Sequence, residues 1–262
     1  MVSKDRQIVA VEDVRALIVA PEYEAQRPFK PKHRIFKKVF DRNDVRITIS
    51  IREDGSRVVL DGQHARHFAI TSGDYGPYLV EAFEGLSRAE EAAKFLSYND
   101  RENVIDVDRF GPRVTAGEGL AVQINRVLES LGLRVAGGRG RYTVAAVSTL
   151  ERVYGGAGVY DAGEYPDLLH DSLSTIALAW DGDKSGFNGS VILGLARLFA
   201  THGGAVDRTY LVSSLARTTP TAFYARAKEL KENFGAASMA EAAQIVATGL
   251  YNQKKRTNKL PA

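Results

Sequence analysis

One short segment of the chain combines residues that could bind a phosphate group. Between Val58 and His67, three apolar residues are followed by Asp-Gly and then by a polar, basic stretch compatible with a helix. Gly62 can adopt positive φ angles, which lets the backbone turn sharply and aim successive N–H groups at one anion. A helix that starts after it would add the positive end of its dipole. The side-chain donors at this turn are Gln63, His64 and Arg66.

A β-hairpin is predicted to deliver this turn. Val45–Ile51 alternates apolar and polar side chains with period two, which is typical of a half-buried strand. Glu53–Ser56 supplies a tight turn into the apolar strand Val58–Leu60. Three further elements are predicted around the hairpin: an apolar segment at Val9–Val19, a strand at Tyr78–Phe83, and a helix at Arg88–Tyr98 that starts with the capping box Ser87-Arg88-Ala89-Glu90.

In this order, the elements and the Asp-Gly-Gln-His turn resemble the ParB/sulfiredoxin-like fold, as found in ParB-like N-terminal domains, over roughly residues 9–103. The loop Pro21–Pro28 is similar to the arginine-bearing loop of those domains, which implies a phosphate contact for Arg27. The resemblance implies a nucleoside triphosphate ligand, CTP or ATP, with or without Mg²⁺. The residues implied to bind it are Arg27, Gly62, Gln63, His64 and Arg66. A phage-type ParB-like protein would act in the cytoplasm of a bacterium or a phage-infected cell.

The chain departs from this family at points that bear on its chemistry. Sulfiredoxins use a cysteine in the equivalent turn, but this chain has none, which excludes thiol chemistry, disulfides and cysteine-ligated zinc. ParB proteins that bind CTP carry Gly-Glu-Arg-Arg, whereas Gly62 is followed by Gln, His and Ala. His64 is expected either to donate to phosphate or to organise the turn. His64 and His67 lack a third ligand nearby in sequence, so no transition-metal site is predicted.

An enzyme is the alternative function, because some single-domain relatives phosphorylate free serine with a nucleotide. That resemblance implies Glu22 or Glu24 as base or metal ligand, with Asp61 and His64 completing the catalytic set. The activity would be that of a nucleotide-dependent kinase, a nucleotide hydrolase, or a phosphodiesterase such as a nuclease. A third alternative is an interaction protein that keeps only the shape of the nucleotide fold.

The basic residues of the chain are clustered, although the formal net charge is only +3. Residues 26–46 carry eight basic side chains against two acidic ones, and residues 251–259 carry four basic ones and no acid. Such clusters favour phosphate contacts with DNA through counterion release, and solvated surface is the alternative. The candidate DNA contacts are Lys30, Lys32, Lys37, Lys38, Lys254, Lys255 and Arg256. No apolar run approaches the roughly 20 residues that span a bilayer, so no membrane association is expected.

Helical spacing replaces strand alternation beyond about Val104. The sequence therefore predicts an α+β protein, with a small mixed-sheet domain over residues 1–112 and a mainly helical domain over residues 113–262 that ends in a basic tail. Predicted helices lie at Leu120–Leu131, Val144–Val153, Asp167–Trp180, Ser190–Thr201, Asp207–Arg217, Pro220–Asn233 and Met239–Tyr251. This half would supply DNA contact, homodimerisation or both.

Three segments of the helical half carry weaker signals. Asp207–Ala227 has the form of a helix-turn-helix that could read DNA, although ordinary helix packing explains the same pattern. Ala136–Tyr142 contains three glycines and two arginines, which suits either a phosphate contact or a connecting loop. Trp180–Gly186 has two aspartates before glycines but lacks the ligand spacing of a calcium loop, so a turn is predicted.

Overall fold

The computed structural model describes residues 6–20, 39–98, 106–137, 140–161, 163–233 and 235–261. In these ranges the chain is an α+β protein with a four-stranded mixed sheet, a two-stranded sheet and ten α-helices. It divides into two compact units, unit 1 (Met1–Glu118) and unit 2 (Gly119–Ala262). The boundary expected from the sequence, after residue 112, falls within the helix Asp106–Thr115, and unit 1 continues to Glu118.

Unit 1 is built on the four-stranded sheet. Its described elements are β1 Arg6–Val11, β2 Thr48–Ile51, β3 Arg57–Asp61, α1 Gln63–Thr71, β4 Tyr78–Glu84, α2 Arg88–Tyr98 and α3 Asp106–Thr115. The strand order is β1-β4-β2-β3, with β2 parallel to β4 and the other two neighbouring pairs antiparallel. The predicted hairpin, the strand that follows it and the helix Arg88–Tyr98 are confirmed.

The hairpin closes through the turn that the sequence predicts. Gly55 adopts a φ of 78°, and its N–H donates to the carbonyl of Arg52 at 2.9 Å. Strand β2 begins at Thr48, three residues later than predicted, and its pairing with β3 is irregular between Thr48 and Ile49. Val45 and Ile47 are buried nonetheless, so their apolar character serves the core without forming part of the strand.

Alternation along β3 gives the sheet two apolar faces, because successive side chains of a strand point to opposite sides. Val59 packs in one cluster with Ala65 and Ala69 of α1. Val58 and Leu60 pack in the other cluster with Phe95 of α2. Helix α1 therefore covers one face of the sheet, and helix α2 covers the other.

The predicted capping box at the start of α2 is confirmed. The Ser87 N–H donates to Glu90 Oε2 at 2.8 Å, and the Glu90 N–H donates back to Ser87 Oγ at 3.3 Å. These two bonds satisfy backbone donors that the first turn of a helix leaves open. The helix therefore starts where the sequence places it.

Unit 2 is mainly helical. Its described elements are α4 Gly119–Ser130, β5 Arg134–Val135, β6 Thr143–Val144, α5 Val147–Tyr154, α6 Pro166–Trp180, α7 Gly189–His202, α8 Arg208–Leu215, α9 Pro220–Asn233 and α10 Met239–Asn252. The predicted helices are confirmed with small shifts at their ends. The prediction was wrong for Val144, which pairs with Val135 in the two-stranded parallel sheet and precedes α5.

Helix α7 forms the centre of unit 2, since all its residues from Val191 to Ala196 are buried. Gly194 lets α10 approach closely, because a Cβ atom there would lie 2.6 Å from the Cβ of Ala243. None of the helices in the described ranges is long and apolar enough to cross a membrane.

Candidate functional site

The predicted strand–glycine–helix turn is present in unit 1. Strand β3 ends at Asp61, α1 begins at Gln63, and Gly62 between them adopts the left-handed conformation, with φ 87° and ψ 19°. The Gly62 N–H donates to Asp61 Oδ1 at 2.7 Å, and the Gly62 carbonyl accepts from the Arg66 N–H at 2.8 Å. The amides of the first turn of α1 are directed toward this end of the helix, as in any α-helix.

Gly62 is required by the fold itself. A Cβ atom at this position would lie 2.2 Å from the carbonyl oxygen of Arg46 and 2.9 Å from the Cα of Ile47. Its positive φ is also a conformation that residues with a side chain rarely adopt. The described atoms thus explain this glycine through the packing of the turn against residues 46 and 47.

The side chains of the turn differ in their burial. Gln63 and Arg66 are partly exposed, whereas His64 is only 8% exposed. Arg66 Nη2 donates to the carbonyl of Arg15 at 3.3 Å, which ties α1 to the segment that follows β1. Of the two roles considered for His64, its burial favours the organisation of the turn over a contact with a ligand at the surface.

His67 is in an environment that disfavours its charged form. Burial and the positive charge of the neighbouring Arg66 lower the pKa of His67 below its ordinary value of about 6.5. In the described part of the chain, no group of three or more His, Asp or Glu side chains is placed to hold a metal ion.

Most of the remaining predicted site residues lie outside the described residues. They are Glu22, Glu24, Arg27, Lys30, Lys32, Lys37 and Lys38. The turn itself is described through Asp61, Gly62, Gln63, His64 and Arg66. That Arg27 and this turn form one binding site therefore stays a prediction.

The basic tail folds back on unit 2. Lys255 Nζ lies 4.1 Å from the ring centre of Tyr251 and 4.8 Å from that of Tyr210, and it donates to the Tyr251 hydroxyl. Leu260 is buried. Its N–H donates to Asn252 Oδ1 at 2.9 Å, and its carbonyl accepts from Asn252 Nδ2 at 2.8 Å. These contacts hold the ammonium group of Lys255 against two aromatic rings of unit 2, and its contact with DNA stays a prediction.

Four cavities lie in the described part of unit 2. One of them, here called the aromatic cavity, has a volume of about 1140 Å³. Its aromatic walls are Trp180, Phe187 and Tyr224, and its polar groups include Thr143, Asn188 and Thr221. The three weaker segments of the sequence therefore meet here: the glycine-rich loop, the acidic turn and the second helix of the helix pair.

Charged side chains at the aromatic cavity are engaged by the protein. Arg141 forms an ion pair with Asp181, and Lys184 Nζ donates to the Gly137 carbonyl at 3.0 Å. Hydrogen bonds from the hydroxyl and the N–H of Ser185 lower the pKa of Asp183 below its usual range. The aromatic walls of the cavity can accommodate an apolar group. Whether the glycine-rich loop contacts a phosphate or only connects two elements stays open.

Contacts of the helix pair α8–α9 favour packing over DNA reading. Trp180 Nε1 donates to the carbonyl of Thr218, in the connection between the two helices, at 2.9 Å. The Trp180 and Phe223 rings meet edge to face with their centres 5.6 Å apart. Tyr224 lines the aromatic cavity, and Lys228 pairs with Glu232 at 3.7 Å. These contacts explain the helix pair without a DNA groove.

Residues 26–262 match the model of DUF6551, a family of unknown function. Because the match covers most of the chain, this protein belongs to that family. No curated protein and no solved structure is detectably similar to the chain.

Proposed function

We propose that this chain is a ParB-like protein that binds a nucleotide through unit 1 and acts on or with DNA. The observation that carries the proposal is the left-handed Gly62 between β3 and α1. A helix that starts at such a turn offers backbone donors and the positive end of its dipole to a phosphate group.

The arrangement around the turn supports this proposal. The chain passes from the β2–β3 hairpin through Gly62 into α1 and returns in β4, which lies parallel to β2. This order of elements is the one that the resemblance to ParB/sulfiredoxin-like domains implies. In the proposed complex, Arg27 neutralises phosphate charge from the preceding loop, while Arg66 and the first amides of α1 contact the phosphates from the turn.

Contacts with DNA would come from exposed cations. Lys254 and Arg256 are exposed in the described tail. Lys30, Lys32, Lys37 and Lys38 are further candidates from the sequence. Unit 2 would supply the contacts of Lys254 and Arg256 with DNA, homodimerisation or both.

Titration calorimetry with CTP and ATP, each with and without Mg²⁺ and duplex DNA, tests the proposal. The variant Arg27→Ala should weaken nucleotide binding by about one to two decades, since a charge-assisted contact contributes about 1.5–3 kcal/mol. Arg57→Ala is the matched control, because Arg57 lies at the opposite end of β3 from the turn. It should leave the affinity unchanged.

Two outcomes would contradict the proposal: no measurable nucleotide affinity in the parent protein, or the same affinity in the parent and in Arg27→Ala. Chromatography of the nucleotides after the titration distinguishes the enzyme alternative from simple binding. Accumulation of nucleoside diphosphate or of a phosphorylated acceptor would identify a phosphoryl-transfer enzyme at the same turn. Binding with intact nucleotide supports the ParB-like role.

A further inference from the structure

A second pocket of unit 2, here called the arginine pocket, contains two cationic side chains. It has a volume of about 380 Å³ and lies where α5, α7 and α10 meet. Arg152 of α5 and Arg197 of α7 both line it, and none of its described lining residues carries a carboxylate. The other polar side chains in the lining belong to Thr149, Asn188, Ser190 and Ser238.

The two guanidinium groups are uncompensated within the described part of the chain. Neither Arg152 nor Arg197 makes a hydrogen bond or an ion pair with a described residue, and the Nε of Arg197 is buried. Arginine remains charged at any physiological pH, so both groups keep their positive charge. A buried donor without an acceptor is unfavourable, and more so on a charged group. An anion in the pocket would supply the acceptor that the Nε of Arg197 needs.

Two helix starts add to the positive potential. Helix α7 begins beside the pocket, where Asn188 accepts from the Ser190 N–H at 2.9 Å. Helix α10 begins at its other side, where Ser238 accepts from the Glu241 N–H at 3.1 Å. Glu241 is the nearest acid at this helix start, but its carboxylate accepts from the Ala237 N–H at 2.7 Å and does not line the pocket.

We propose that the arginine pocket binds a phosphate group, either as inorganic phosphate or as the phosphate of a small monoester. Guanidinium forks from two different helices match the oxygens of a tetrahedral oxyanion, and the hydroxyl groups can complete its hydrogen bonds. The volume lies near the lower end of the roughly 300–1,000 Å³ of ligand pockets, which suits a phosphate with a small organic part. This site is independent of the turn in unit 1.

Calorimetric titration of the full chain with inorganic phosphate, at constant ionic strength maintained with chloride, tests this proposal. Arg197→Gln and Arg152→Gln should each reduce phosphate affinity roughly tenfold to a hundredfold, because each removes a charge-assisted contact. Arg226→Gln is the matched control, since Arg226 is an exposed arginine of α9 outside the pocket. It should bind phosphate as the parent does.

The melting temperature provides a second readout, because the pocket variants should lose affinity for phosphate without losing stability in its absence. In phosphate-free buffer, Arg197→Gln should melt at or above the temperature of the parent, because it relieves an uncompensated charge. Phosphate should raise the melting temperature of the parent and of Arg226→Gln, and should raise it much less in both pocket variants. Arg152 is exposed, so its variant remains informative if Arg197→Gln folds poorly.

Equal phosphate affinity in the parent and in Arg152→Gln would overturn the proposal, as would the absence of any phosphate effect beyond that of chloride. Because Arg27 belongs to unit 1 and the arginine pocket to unit 2, the Arg27→Ala variant should keep the phosphate response. Failure of the nucleotide proposal and failure of this one are thus separate results.

Discussion

Arg52 of the β2–β3 hairpin donates to both carboxylate oxygens of Glu91 on α2, with Nε to Oε2 at 3.0 Å, and the side chain of Glu91 is fully buried. Paired in this way, a buried carboxylate depends on its arginine, because removal of one partner leaves an uncompensated charge in the interior. The pair joins the hairpin that delivers Gly62 to the helix on the other face of the sheet.

The variant Arg52→Ala should therefore destabilise unit 1 by about 3–5 kcal/mol. Arg88 also faces Glu91, at 3.5 Å, but its side chain is 58% exposed, so Arg88→Ala should cost about 1 kcal/mol or less. Native-state hydrogen exchange measures both effects in unit 1 peptides. Equal protection in the two variants would contradict the role assigned to Arg52.

Gly62→Ala should destabilise unit 1 more than Gly55→Ala. Both glycines have positive φ angles, 87° and 78°, which cost an L residue about 1–2 kcal/mol. Only Gly62 also faces the Arg46 carbonyl, whereas a Cβ atom at Gly55 meets nothing within 4 Å. Chemical denaturation of the two variants checks this order. If Gly62→Ala were the milder change, the close approach would be without consequence.

His67 should make unit 1 less stable in mild acid. Burial and Arg66 lower the pKa of His67 in the folded protein below its unfolded value of about 6.5, so the unfolded chain binds the proton more tightly. The stabilising contribution is present above the unfolded pKa and is lost as the pH falls through the folded pKa. His67→Gln should flatten the pH dependence of stability below neutrality, whereas His202→Gln in unit 2 should leave that of unit 1 unchanged.

The cations of the tail should differ in their effect on DNA binding and on stability. If Lys254 and Arg256 contact DNA, each change to Ala should reduce the slope of log affinity against log salt by about 0.9. Lys255→Ala should leave the slope unchanged and lower the stability of unit 2 by about 0.5–2 kcal/mol, because it removes a cation from two tyrosine rings. Gel-shift titrations over a salt series measure the slope. Absence of binding at low salt would assign both exposed cations to solvated surface.

Local signals in the sequence predicted much of unit 1. The capping box at Ser87 and the turn at Gly55 each depend on residues that are close in sequence, and the structure confirms both. The left-handed turn at Gly62 follows in the same way, because the strand before it and the helix after it are both short-range patterns. The sequence alone does not predict why this position requires a glycine. The Arg46 carbonyl comes close to Gly62 only when the chain folds around β2.

Helix α3 shows how packing overrides a local signal. Glycine and proline often interrupt a helix, but α3 runs from Asp106 to Thr115 through Gly111 and Pro112, with Phe110 and Pro112 buried. No pattern in the sequence brings Arg152 near Arg197, or Thr143 near Tyr224. Such clusters arise from contacts between residues far apart in the chain, and only tertiary structure reveals them.

The chain contains a single tryptophan, Trp180, and this residue is 8% exposed in a wall of the aromatic cavity. All tryptophan emission of the protein therefore originates in unit 2. A fluorescence melt measures that unit alone, and unfolding confined to unit 1 would pass without a tryptophan signal. Conversely, a compound that enters the aromatic cavity would change the emission directly, so occupancy can be followed in the unlabelled protein.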